Sequence, residues 1–169
     1  TLELEKVYTG NHIEARQRLD AILSALYRYE PDMEDVKGIG FCVSIRHAQF
    51  MADMFNKHGL LSAAYVSGND PGHYEPLLKQ LKSGQLKFLF TVDKLSEGVD
   101  LPDINIVLFL RPTRSLTVFL QQLGRGLRHS PGKDCLTVLD FVGPAHRKYR
   151  IDTNIKALLP KHRFSIDQQ

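Results

Sequence analysis

The stretch Leu86–Ser115, "LKFLFTVDKLSEGVDLPDINIVLFLRPTRS", carries two short apolar runs, 86–92 and 104–110, separated by a polar loop. Neither run alternates cleanly between apolar and polar residues. Nearly continuous apolar strands are expected where both faces of a sheet are covered, which is the situation of parallel strands sandwiched by helices. Gly98 and Pro102 punctuate the loop between them. Three further runs have the same character: "IGFCVS" (39–44), "SAAYVS" (62–67) and "CLTVLDFV" (135–142). Helical spacing of apolar residues fills the intervals near 46–58, 71–83 and 116–128. Strands alternating with helices predict an open α/β fold, a mainly parallel sheet with helices on both faces.

Upstream, "HIEARQRLDAILSALYRY" repeats apolar residues at helical spacing (Ile13, Leu19, Ile22, Leu23 and Leu26) and predicts an amphipathic helix. "EPDMEDVKGIG" then reads as a polar connection, with Gly38 and Gly40 as breakers. The 169 residues, 43% hydrophobic and 24% charged, suit one domain with a real core. The organisation expected is a helical lead-in over 1–37, a core over 38–145 and a basic tail over 146–169. That tail, with "HRKYR" and "KHRF", either touches nucleic acid or begins a further domain.

The apolar run at 104–110 is far below the roughly 20 residues of a membrane span, and no secretory signal opens the chain. Thr1 is not an initiator methionine, so the chain reads as a piece of a longer cytoplasmic protein. Cys42 and Cys135 lie inside apolar runs and read as buried, reduced thiols. The seven histidines lack metal-ligand spacing, and no metal site is expected. His47, His58 and His129 read as residues of helix ends or surfaces.

Charge is unevenly spread. From Arg111 to Arg163 eleven Lys and Arg face three acids, Asp134, Asp140 and Asp152, a local +8 that leaves −5 for the rest of a +3 chain. A basic segment beside an acidic remainder points to a polyanionic partner. In an open α/β sheet ligands gather at the C-terminal edge of the strands. That edge should carry "SIRH" (44–47), "SGND" (67–70), "TVDKLSEGVDLP" (91–102) and "RPTRS" (111–115). Hydroxyls, exposed glycine backbone, carboxylates and arginines together suit phosphate and ribose better than an apolar ligand. Arg111 and Arg114 suit either capping of nearby carbonyls or ligand contact.

"LQQLGRGLRH" (120–129) continues a helix that Ser115 can cap. With Gln121 at zero and about 100° per residue, Arg125 falls near +40° and Arg128 near −20°. These three share one stripe, while Phe119, Leu120, Leu123 and Leu127 project to the other side. Gly124 beside the stripe lets another body approach closely. Two guanidinium forks one turn apart match phosphate oxygens or an acidic surface.

These residues resemble a family. "QQLGRGLR" (121–128) is similar to the sixth motif of superfamily-two helicases and translocases, Q-x-x-G-R-x-x-R. "TVDKLSEGVDLP" resembles their fifth motif and "FCVSIRHAQFMADMF" (41–55) their fourth. The likeness is to the restriction-subunit and DNA-repair branch rather than to the DEAD-box RNA helicases. Those usually carry histidine at the place of Gln121, and their fifth motif is one residue shorter.

The resemblance implies the second RecA-like domain of an ATP-driven, DNA-acting motor. It implies that Arg128 is the arginine finger toward the γ-phosphate, with Arg125 beside it and Gln121 positioning the phosphates. Gly98 and Asp100 would face the nucleotide, the aspartate toward the ribose. Ser44, Arg46 and Thr91 would hold a nucleic-acid backbone without reading its sequence.

The chain contains no G-x-x-x-x-G-K-[S/T] loop and no D-E-x-H-like strand end, so the fragment alone should not hydrolyse ATP. ATP and Mg²⁺ then belong to a cleft shared with a first RecA-like domain, which holds the metal. Two other readings compete. A dinucleotide-binding enzyme would need G-x-G-x-x-G after the first strand, yet "GIG" (38–40) precedes it and "SIRHAQ" follows. A non-catalytic helicase-like module, acting as a protein- or nucleic-acid-binding adaptor, has no evident use for Gln121, Arg125 and Arg128 on one stripe.

Overall fold

In the computed structural model the described residues are 12–30, 32–66, 74–92, 104–111 and 136–141. They form three helices and five strands. In chain order these are α1 (His12–Tyr29), β1 (Gly38–Phe41), α2 (Ile45–Lys57), β2 (Ser62–Tyr65), α3 (Tyr74–Lys82), β3 (Phe88–Thr91), β4 (Ile106–Phe109) and β5 (Thr137–Asp140). The helix expected at 116–128, Cys135 and the tail lie outside the described residues.

The strands make one fully parallel sheet in the order β2-β3-β1-β4-β5. β2 to β5 each lie inside the apolar run that predicted them. The first strand starts one residue earlier than expected and takes in both Gly38 and Gly40. These glycines are therefore strand residues and not breakers, because their missing side chains make room for a neighbour. A Cβ on Gly38 would lie 2.0 Å from the Phe88 ring, and one on Gly40 2.4 Å from the Phe90 ring.

Alternation along the strands divides the core into two layers. Phe88, Phe90, Ile106 and Leu108 face α1 and α2 and pack with Leu19, Ile22, Leu26, Met51 and Phe55. Phe55 meets both Phe88 and Phe90 edge-on, with centroids 5.0 and 4.8 Å apart. Ile39, Phe41, Leu89, Val107 and Phe109 face the other way and pack with Leu81 and the adjoining Leu77 and Leu78 of α3. The β1–α2–β2 and β2–α3–β3 crossovers travel in opposite directions across the sheet. Both can be right-handed only if α2 and α3 cover opposite faces, as they do.

α1 buries Ala15, Leu19, Ile22 and Leu26 on one stripe. Ile13 is 69% exposed. It stands nine residues before Ile22, about 180° round the helix, so it does not belong to the apolar face. α2 buries His47, Ala48, Met51, Ala52 and Phe55 and ends at His58, followed by Gly59 at φ 80°. That left-handed conformation closes a helix at low cost only for glycine.

At the N-terminal edge of the sheet, Asn105 ties the 30–37 connection to β4. Its Oδ1 accepts from the Lys37 N–H at 2.8 Å, and its Nδ2 donates to the Asp35 carbonyl at 2.8 Å. Thr137 Oγ1 donates to Glu30 Oε1 at 2.8 Å, and the Lys87 ammonium donates to the Glu34 carbonyl. These side chains tie the 32–37 segment and the end of α1 to this edge of the sheet.

Candidate functional site

The parallel register aligns the last residues of all five strands in one row, Tyr65, Thr91, Phe41, Phe109 and Asp140. All five strands therefore end on the same side of the sheet. The central strand supplies Cys42, Val43 and Ser44, and β4 continues into Leu110 and Arg111. Backbone pairing persists one residue beyond the ladder, with the Cys42 N–H donating to the Thr91 carbonyl at 2.7 Å and the Leu110 N–H to the Phe41 carbonyl at 3.0 Å.

Ser44 caps α2. Its backbone is extended (φ −149°, ψ 167°), and its hydroxyl oxygen accepts from the His47 N–H at 3.2 Å. Arg46 is exposed on the first turn, where the partial positive charge of a helix N-terminus adds to its own.

Arg111 is partly exposed at the end of β4, and its charge reaches the Cys42 thiol. Burial pushes that thiol well above its usual range, while Arg111 pulls the other way. Cys42 is accordingly a protonated core residue, as its apolar surroundings predicted.

Thr91 is fully buried, and its hydroxyl has no hydrogen-bond partner among the described residues. It shares the α3 side of the sheet with Phe41 and Tyr65, whereas Ser44 and Arg46 leave β1 toward α2. Of the residues singled out from sequence, the structure therefore brings Ser44, Arg46 and Thr91 to one edge. Gly98, Asp100, Gln121, Arg125 and Arg128 lie outside the described residues.

One residue of this edge was missed. His47 is at a helix end, as expected, but it is completely buried. Burial, with the nearby Arg18 charge, lowers its pKa from 6.5 to about 3, so the imidazole is neutral. Its Nδ1 accepts the Val43 N–H at 3.2 Å. Its position on the apolar stripe with Ala48, Met51 and Phe55 was the available sequence signal.

With this geometry in hand, comparison with known proteins is direct. The profile of the helicase conserved C-terminal domain matches residues 17–130, well over half of the chain. The chain belongs to this helicase family. Among relatives, the Saccharomyces cerevisiae protein IRC3, named as an ATP-dependent helicase, is 26% identical over 128 residues, 75% of this chain and 19% of its own length. UvrABC system protein B of Tropheryma whipplei is 32% identical over 93 residues, 52% of this chain and 14% of that protein.

A DEAD box protein from Methanococcus jannaschii superposes with a TM-score of 0.61 at 21% identity, over 80% of this chain and 36% of that one. That likeness shows the fold: this helicase C-terminal domain is RecA-like. The sequence relatives, a helicase and a UvrABC component, agree with the superfamily-two, DNA-repair-like branch that the motifs resemble. The domain spans less than a fifth of the length of either.

Proposed function

We propose that this helicase C-terminal domain is the second motor domain of an ATP-dependent DNA helicase or translocase. The observation that supports the proposal is the alignment of all five strand ends on one edge. The register sends the Ser44–Arg46 turn, the segment after Thr91 and the segment after Arg111 off the same side of the sheet. In the sequence the fifth motif (91–102) begins at Thr91, and the sixth (121–128) starts ten residues after Arg111. Names of relatives such as IRC3 support ATP as the fuel.

In this reading Arg128 reaches the γ-phosphate across a cleft formed with a first RecA-like domain. Arg125 and Gln121 hold the phosphates beside it, and Gly98 and Asp100 face the ribose side of the nucleotide. The guanidinium groups compensate charge developing in the phosphoryl-transfer transition state. Ser44 and Arg46 grip the backbone of a DNA strand, which is why binding should ignore sequence and weaken with salt. Thr91, expected from sequence to share that grip, is completely buried and can only support the loop that follows it. Loss of the γ-phosphate removes the bridge between domains, and the two grips on the strand shift relative to each other.

Magnesium is assigned to the first domain. A phosphate loop is missing from the 169 residues, so in this reading catalysis requires the partner domain. The adaptor reading has no observation in its favour.

The test uses the parent protein containing both motor domains. Arg128→Ala should lower the DNA-stimulated ATPase rate by about 10³-fold while DNA is still bound. Wild-type turnover in that variant overturns the finger assignment.

A further inference from the structure

The β1–α2 turn has a backbone problem that one side chain solves. The sheet satisfies the Cys42 N–H through Thr91, but the ladder ends there. Val43 is buried, and its N–H points away from any strand partner into the start of α2. A buried N–H left without an acceptor is costly, because folding has removed the water it would otherwise bond. His47 folds back from the first turn of α2 and accepts it at Nδ1, 3.2 Å away. The same residue donates its own N–H to Ser44 Oγ at 3.2 Å, and the Ser44 carbonyl accepts the Ala48 N–H at 3.0 Å.

Three hydrogen bonds thus staple residues 43–48 into one unit, and Arg46 leaves from the middle of it. We infer that His47 is a positioning residue for nucleic-acid binding: by clamping the Val43–Ser44 backbone to the first turn of α2, it fixes the origin and direction of Arg46 toward the strand. This rests on the proposed function, in which Arg46 contacts the DNA backbone.

The local chemistry supports a fixed clamp. Completely buried, the imidazole stays neutral far below physiological pH, so Nδ1 remains an acceptor and Nε2 carries the proton. Ile45 and Arg46 on either side of it are exposed, so within this turn His47 alone is turned inward. A long, flexible arginine loses less on binding when its backbone is already held in place.

The test is made in the parent protein by titrating DNA against ATPase rate. Asparagine places an oxygen where Nδ1 lies, glutamine places one where Nε2 lies, and leucine keeps bulk without an acceptor. His47→Leu and His47→Gln should raise the DNA concentration for half-maximal stimulation about fivefold, with the maximal rate and the ATP requirement unchanged. His47→Asn should stay near wild type, a rescue that a role in packing bulk would not produce. Arg46→Ala should give the same rise, and Arg46→Ala/His47→Leu no more than either alone.

If His47→Leu does not fold, the asparagine–glutamine contrast carries the test, together with slow exchange of the Val43 amide in wild type and His47→Asn. Equal DNA requirements for His47→Asn and His47→Gln overturn the inference. A rise in Arg46→Ala with none in His47→Leu or His47→Gln overturns it too and leaves the proposed function standing. An unchanged DNA requirement in Arg46→Ala removes the Arg46 contact itself, and the inference with it.

Discussion

The ring of Phe90 in β3 lies over the backbone of Gly40 in β1, so closely that a Cβ on Gly40 would fall 2.4 Å from Phe90 Cδ1 and 2.5 Å from Cε1. Phe88 stands over Gly38 in the same way, two residues along the paired strand. Phe55 of α2 then packs edge-on against both rings. The central strand is thus bare on one face so that two phenylalanines can lean across it and meet the helix.

Gly40→Ala should destabilise the domain, because the added methyl must displace a ring held by Phe55. Overpacking of this kind costs about 1–3 kcal/mol. Urea denaturation measures it, and Phe90→Leu in the same chain should recover part of the loss. Equal stability of Gly40→Ala and wild type would show that the ring is free to move.

Acid should unfold the domain partly through His47. The folded pKa of about 3 lies below the ordinary 6.5, so the unfolded chain takes up the proton first. The stability contributed by keeping His47 neutral is complete above pH 6.5 and is lost as pH falls toward 3. The expected loss from this group is about 2 kcal/mol between pH 7 and pH 5. Denaturation curves of His47→Asn over that window should have a correspondingly shallower slope with pH.

Ser44 can be tested in two capacities. Ser44→Ala removes the N-cap of α2 and should cost about 1 kcal/mol. Ser44→Asp preserves capping and suits the helix N-terminus, so its melting temperature should match wild type within a few degrees. Its negative charge should nevertheless weaken DNA binding by the parent protein, as read by fluorescence anisotropy at low salt. Unimpaired binding in Ser44→Asp would place the strand elsewhere.

Asn105→Ala should loosen the connection between α1 and β1. The change strands the Lys37 N–H and the Asp35 carbonyl, which Asn105 now satisfies at 2.8 Å each. These bonds are near the surface, where water can take the place of the side chain, so a cost of about 1 kcal/mol is expected. Hydrogen exchange should show it first at the Lys37 amide.

Much of this architecture was written in local pattern. The positions of α1, α2 and α3 follow from apolar residues at helical spacing, and β2 to β5 fall inside uninterrupted apolar runs. Parallel pairing was legible because those runs lack alternation, which implies cover on both faces. The place of Ser44 and Arg46 at the C-terminal edge of the sheet was legible because they follow directly after a strand. Gly38 and Gly40 were misread, since glycine marks a turn in local pattern. Only the paired strand reveals that two rings occupy the space. Ile13 was misread because its place in the apolar series counted for more than its angle around α1.

The amino-acid order by itself settled the element types, their sequence along the chain and the family to which the domain belongs. These depend on periodicity and on short motifs, which are local properties. The tertiary structure decided which strand is central, which glycines are covered by rings, and that His47 is a buried acceptor for Val43 rather than a surface histidine. Those facts depend on what lies against a residue from elsewhere in the chain, and an N–H beyond the end of a ladder becomes costly only once the fold has removed its water.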